Sequence, residues 1–248
     1  MPADLAFYAL AIPAVVLLGL SKGGFAGMGA LSVPMLVLAT DPLRAAAILL
    51  PILIVQDVVG VWAFRRTVDW YVLGWTLPGA VLGIALGYFF AASVTPEAVM
   101  TAVGGISILF GGYRLWVERR GVPKASHAPG WVGSAAGVAA GFTSQIAHAG
   151  GPPFQLWVIP RMLPRDVLVG TTAIFFAVVN WVKVPAYVAL GQFTPANLWT
   201  SAALMPVAIG STVAGVWLVR RVPAERFYTA IYVLMILVGA KLVWDGLA

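Results

Sequence analysis

His148 stands two residues ahead of the pair Gly150-Gly151 in the stretch TSQIAHAGGPPFQLWVIP, residues 143–160. On a helix it shares a face with Gln145 at i,i+3 and with Ser144 at i,i+4. An imidazole in that place can donate to an anion and can exchange a proton near neutral pH. It can equally cap the end of a broken helix. Gly150 and Gly151 let a ligand approach the backbone, and Pro152 and Pro153 suit a first helical turn, where a missing N–H costs little. A helix starting near Gly150 offers free N–H groups and the positive end of its dipole, which together make a seat for an anion. The glycines also fit a plainer role, the close packing of helices. The earlier stretch GLSKGGFAGMGA, residues 19–30, repeats the design with Ser21, Gly23 and Gly24, and its Lys22 adds a full positive charge.

Two further groups lie deep in apolar runs. Gln56 and Asp57 sit well inside one run, and Asn180 and Lys183 share a face of another at i,i+3. An ionisable residue at bilayer depth costs at least about 2.5–3.5 kcal/mol on insertion scales unless it faces a cavity or a partner. Asp57, with Gln56 and His148, is the candidate site for a coupling proton or cation. Lys183 is a candidate for attracting an anion. The structural alternatives are that Lys183 snorkels to a surface and that Asp57 is merely hydrated from its own end.

The elements that position these residues follow from composition. The chain has 248 residues, 61% of them hydrophobic and 10% charged, with a mean hydropathy of +0.94. No soluble domain of this size hides so much apolar surface, so the chain is an integral membrane protein. Its apolar runs are long and continuous, which excludes a β-barrel. The fold expected is all-α and polytopic. Clear spans are predicted at 5–20, 43–64, 70–92 and 97–117, and again at 131–149, 165–190, 195–219 and 224–244. Residues 25–40 and 153–160 are left over, each following a glycine-rich break. The N-terminal run lacks a basic region and carries Asp4, so it reads as a retained first span.

The two halves align. A spacing of 122 residues matches Gly19 with Gly141, Gly29 with Gly151 and Pro42 with Pro164; a spacing of 128 matches Pro78 with Pro206, Gly87 with Gly215 and Trp116 with Trp244. The division expected is a first repeat over 1–117, a basic linker over 118–130 and a second repeat over 131–248. Arg65, Arg66, Arg114, Arg119, Arg120, Lys124, Arg161, Arg165, Arg220, Arg221 and Arg226 fall in four regions. The positive-inside rule places all four in the cytoplasm. That holds only if the chain turns back at AHAGGPP and at SKGGFAGMG. Each repeat then has four transmembrane helices plus a broken or re-entrant hairpin arm, giving eight clear spans and up to ten passes. An odd count per repeat makes the repeats inverted, with both termini outside. Inverted repeats with interrupted helices are the plan of a secondary transporter, with its site at the repeat interface. Trp62, Trp70, Trp75, Trp116, Trp131, Trp199 and Trp244 lie mostly near span ends and read as an interface belt.

GLSKGGFAGMGALSVPML, followed one repeat later by GFTSQIAHAGGPPFQLWVIP, resembles the sulfite exporter TauE/SafE family of bacterial membrane proteins. The resemblance covers nearly the whole chain. It implies movement of a small sulfur-containing anion, such as sulfite or an organosulfonate, across the bacterial cytoplasmic membrane, often outward. The signature positions it carries over are Gly19, Gly23, Gly24, Gly29, Pro34, Gly141, His148, Gly150, Gly151 and Pro152.

The expectation is therefore a secondary transporter of a small anion. Ser21, Lys22, Gly23, Gly24, Ser144, Gln145, His148, Gly150, Gly151, Asn180 and Lys183 are the candidates for binding it, and Gln56, Asp57 and His148 those for coupling. A passive anion channel, or a transporter of small carboxylates, is the alternative. An enzyme fares poorly: there is no cysteine, only two histidines, no clustered carboxylates and no metal-ligand spacing, so no catalytic, metal or cofactor site is expected. The net charge of +6 sits in short loops and does not indicate nucleic acid. The partners expected are the anion and the lipid bilayer. Proton or sodium coupling and a homodimer are both compatible with the sequence.

Overall fold

The computed structural model describes residues 5–22, 28–120, 125–218 and 225–248, and among these it is helical with no strand. The first half contains α1 (Leu5–Lys22), a 3-10 turn (Met28–Leu31) running into α2 (Ser32–Val37), α3 (Pro42–Phe64), α4 (Trp70–Ser93) and α5 (Pro96–Arg120). The second half contains α6 (Gly130–Ala147), α7 (Gly151–Val158) with a 3-10 turn (Ile159–Arg161), α8 (Arg165–Ala189), α9 (Pro195–Leu218) and α10 (Glu225–Leu247). Local chemistry sets several starts. The Asp41 carboxylate accepts from Arg44 N at 3.0 Å ahead of Pro42, and Asp69 accepts from Val72 N at 3.0 Å. Thr194 Oγ1 accepts from Asn197 N at 3.2 Å ahead of Pro195. These are N-caps that satisfy otherwise orphaned donors, followed in two cases by the residue best suited to a first helical position.

Among the described residues, seven helices are long and apolar enough to cross a membrane. The sequence predicts eight, and α6 is the exception. It forms over 18 residues as expected, but Gly130, Gly133, Gly137 and Gly141, with Ser134, Thr143, Ser144 and Gln145, dilute its apolar character. Those small residues serve packing instead. A Cβ on Gly141 would run into the Ala80 carbonyl of α4, and one on the matching Gly19 would run into Ser211 of α9. Backbones approach this closely only where side chains vanish.

The packing crosses between the halves. α4 of the first half lies on α6 of the second, and α9 of the second lies on α1 of the first. α5 pairs with α10, and α3 with α8. α3 is central: Ala45, Ala46, Ala47, Ile48, Leu49 and Leu50 are all fully buried. The seven tryptophans of the expected interface belt are all exposed, as lipid-facing rings should be.

The two arms are short. At 1.5 Å per residue α7 covers about 12 Å, well below the roughly 30 Å of a hydrocarbon core, so it does not span. It doubles back along α6. Ser126 N donates to the Pro160 carbonyl at 2.8 Å and Trp157 Nε1 donates to the Ala128 carbonyl at 3.3 Å, which puts the far end of α7 beside the start of α6. Arg161 closes this corner, its guanidinium 4.3 Å from the Trp157 ring centroid.

Candidate functional site

The ends of α1 and α6, where the chain breaks, face α3 and α8 across a cavity of about 370 Å³. Ser21 and Lys22 from α1, Asp57 from α3, Ser144 and His148 from the second break, Gly151 from α7 and Asn180 from α8 all line it. The break is shaped by His148 itself. Its backbone is left-handed, φ 49° and ψ 25°, and its N–H donates to Ser144 O at 3.1 Å, ending α6. Histidine tolerates that conformation better than most residues. His148 thus ends the helix and also lines the cavity.

Two polar chains run through the site. In the first, Lys22 Nζ forms an ion pair with Asp57 Oδ1, and Asn180 Nδ2 donates to Asp57 Oδ2 at 2.6 Å. Asp57 is nearly inaccessible at 3% exposure, so its charge is held by these two partners. In the second, Lys183 Nζ donates to Ser144 O at 3.2 Å and Ser144 Oγ at 3.1 Å, and lies 2.7 Å from His148 Nδ1. A lysine amine donating at the last turn of α6 also gives one of the helix's closing carbonyls a further partner.

α7 starts at the cavity wall. Pro152 and Pro153 carry no N–H, so within its first three residues only Gly151 supplies a donor. This is fewer free N–H groups than the sequence suggests. The Gly151 site is open, the nearest atom to a hypothetical Cβ being Gln155 Nε2 at 3.9 Å. Gly150 is different: a Cβ there would lie 2.6 Å from Ala140 O, so this glycine serves packing.

The remaining expected residues sort plainly. Lys183 does not line the cavity; it is fully buried behind Ser144 and His148, and does not snorkel. Gln145 is buried against Gly87 of α4, because the left-handed turn at His148 breaks the i,i+3 face the two were expected to share. Gln56 points away toward α9, its Nε2 donating to Ala208 O at 3.3 Å. Gly23 and Gly24, with Lys124, Arg220 and Arg221, lie outside the described residues. Thr172, Phe176, Gln155 and Arg114 line the cavity without having been singled out as site residues. Leu168, Thr172, Phe176 and Asn180 recur every fourth residue on α8, a stripe that periodicity alone could have exposed. Arg114 falls at the basic end of the span predicted at 97–117; it lies within α5 and donates to Tyr232 Oη at 3.0 Å.

An ammonium, an imidazole, a helix start and an amide around one cavity can hold a small anion, and the buried carboxylate can carry a proton. A family model described as sulfite exporter TauE/SafE matches residues 11–242. No curated protein and no solved structure matches the chain. Its all-helical polytopic fold and the near-complete extent of that match agree, and the chain belongs to the sulfite exporter TauE/SafE family of multi-pass membrane transporters.

Proposed function

We propose that the protein is a secondary transporter that exports a small sulfur-containing anion, such as sulfite or an organosulfonate, by alternating access with ion coupling. The observation that carries this reading is the convergence of both chain breaks on one cavity, with Lys22, His148 and Gly151 placed to meet an anion and Asp57 placed beside them. Residues 1–117 and 131–248 act as inverted repeats joined by the basic linker 118–130. The exchange of packing partners between halves, α4 on α6 and α9 on α1, supports that division. Under the positive-inside rule the linker is cytoplasmic and the termini are outside, in the bacterial inner membrane.

Alternating access is supported by an asymmetry along the cavity. Its lining reaches Leu168 in the first turn of α8, Arg114 and Ile159, toward the end that carries Arg65, Arg119 and Arg161. It includes none of Ala45 to Leu50, which are fully buried at the opposite end of α3. That opposite end is closed by Tyr187, whose hydroxyl donates to Gln145 O at 2.7 Å and whose ring stacks on His148 and Phe193. Arg44 Nε donates to Asn197 Oδ1 at 3.0 Å nearby. With the 122-residue spacing, Leu50 corresponds to Thr172, so one repeat is sealed where the other is open. Exchanging the two conformations opens the site to the other side.

The test is flux in proteoliposomes loaded with sulfite or a sulfonate. Saturable uptake stimulated by the same anion on the far side is expected. Flux that does not saturate and shows no exchange stimulation would make the protein a channel. No flux for any sulfur oxyanion would end this reading.

A further inference from the structure

Lys22–Asp57 is, among the described residues, the one ion pair inside the helix bundle. Each oxygen of the carboxylate has its own partner, Lys22 on Oδ1 and Asn180 on Oδ2. Both partners are N–H donors, so the carboxylate lacks the oxygen cage that a hard metal cation needs. A proton fits instead. Placed on Oδ1, it removes the charge that holds Lys22 and leaves Oδ2 accepting from Asn180 as before. Lys22 already lies within 5.4 Å of the Phe176 ring centroid, and that face can share the ammonium while its other hydrogens turn to the cavity.

We infer that the Lys22 ammonium is held in turn by Asp57 and by the transported anion, so that the anion binds only with a proton on Asp57 and the two cross together in the same direction. The inference rests on the reading of this cavity as the substrate site. An anion seated at Lys22 while Asp57 is ionised would put two like charges against one ammonium in a partly desolvated space, and they repel. No other described acidic side chain lines the cavity. The charged and titratable groups facing Asp57 are Lys22 from α1, Arg114 from α5, Lys183 from α8 and His148 after α6. α2, α6 and α9, which also pack on α3, carry no titratable side chain. The competition is therefore between one carboxylate and one anion for the nearest cation.

The direct measurement is proton uptake on binding. Methanesulfonate is the probe, because its acid is too strong to bring a proton of its own near neutral pH. The purified full chain is mixed with it in detergent, in weak buffer with a pH indicator. About one proton should leave the medium per anion bound, and the affinity should fall about tenfold per pH unit on the alkaline side of the transition. Asp57→Asn should bind with no uptake and no pH dependence, and Lys22→Gln should bind at least about tenfold more weakly. Binding by the wild type without uptake, or with sodium required in place of the proton, overturns the inference and leaves the transporter reading standing. Failure of the wild type to bind methanesulfonate or sulfite overturns both. The wild-type uptake decides the matter even where Asp57→Asn does not fold.

Discussion

Lys183 Nζ lies 2.7 Å from His148 Nδ1, while His148 Nε2 lies 2.8 Å from the carbonyl oxygen of Ala46. Nδ1 also lies 3.2 Å from the Ser144 carbonyl oxygen, so the ring is held by polar partners on both nitrogens. The lysine, absent from the cavity wall, helps to hold the orientation of the imidazole that is in it.

It follows that Lys183→Met acts through His148. The stability of the variant should drop by roughly 1–3 kcal/mol, the range for leaving a buried polar group without its partner. Transport KM should rise with kcat little changed, since the anion meets a misplaced ring. Thermal melting in detergent and proteoliposome kinetics check the two parts; a wild-type KM would remove Lys183 from the positioning role.

The left-handed backbone at His148 separates two substitutions that otherwise look alike. His148→Asn should lose the contacts of the ring but keep the backbone of the break, because asparagine tolerates φ near 49°. His148→Val should lose about 1–2 kcal/mol more, since a β-branched residue resists that conformation. Equal melting temperatures for the two would argue against a left-handed residue at the break.

Packing at the α4–α6 contact gives a contrast within one residue type. Gly141→Ala should destabilise by roughly 1–3 kcal/mol, because the new methyl meets the Ala80 backbone, which cannot turn aside. Gly112→Ala, on α5 where nothing lies within 4 Å, should be neutral or slightly stabilising. Comparison of the two melting curves decides it.

The chain contains no cysteine, which makes introduced thiols unambiguous reporters. Thr172→Cys, in the cavity lining, should react with a water-soluble maleimide from the basic face without substrate. Leu49→Cys, fully buried, should be inert at rest and become reactive from the opposite face during sulfonate turnover. A Leu49 thiol that stays unreactive while the protein transports would contradict the proposed exchange of conformations.

Much of this arrangement is legible in the sequence, for definite reasons. Helix starts at Asp41-Pro42 and Thr194-Pro195 are local chemistry, so they are readable one turn at a time. The breaks at Lys22 and His148 stand out because glycine and proline interrupt apolar runs. Even the pairing leaves a trace: Lys22 to Asp57 and His148 to Lys183 span the same 35 residues. Other features depend on direction rather than type. Gln145 and His148 part because the left-handed backbone at His148 turns its side chain off the α6 face that holds Gln145. A lysine that snorkels and one that is buried behind a histidine look identical in sequence; only the neighbours of Lys183 separate them. Arg114 was hidden by belonging to a basic cluster whose other members serve as anchors.

The crossed packing of the halves has a consequence for how the chain is made. Ser211 of α9 reaches the carbonyl of Val15 in α1 across 196 residues, at 3.5 Å. α1 therefore enters the bilayer long before its partner exists, with Gly19 and its close-packing face turned to lipid. Biogenesis cannot finish one half at a time; the early helices must wait, loosely held, until the last third of the chain arrives to lock them. A ribosome stalled after the linker would leave a product that is inserted but unassembled, the kind of orphan that membrane quality-control proteases remove.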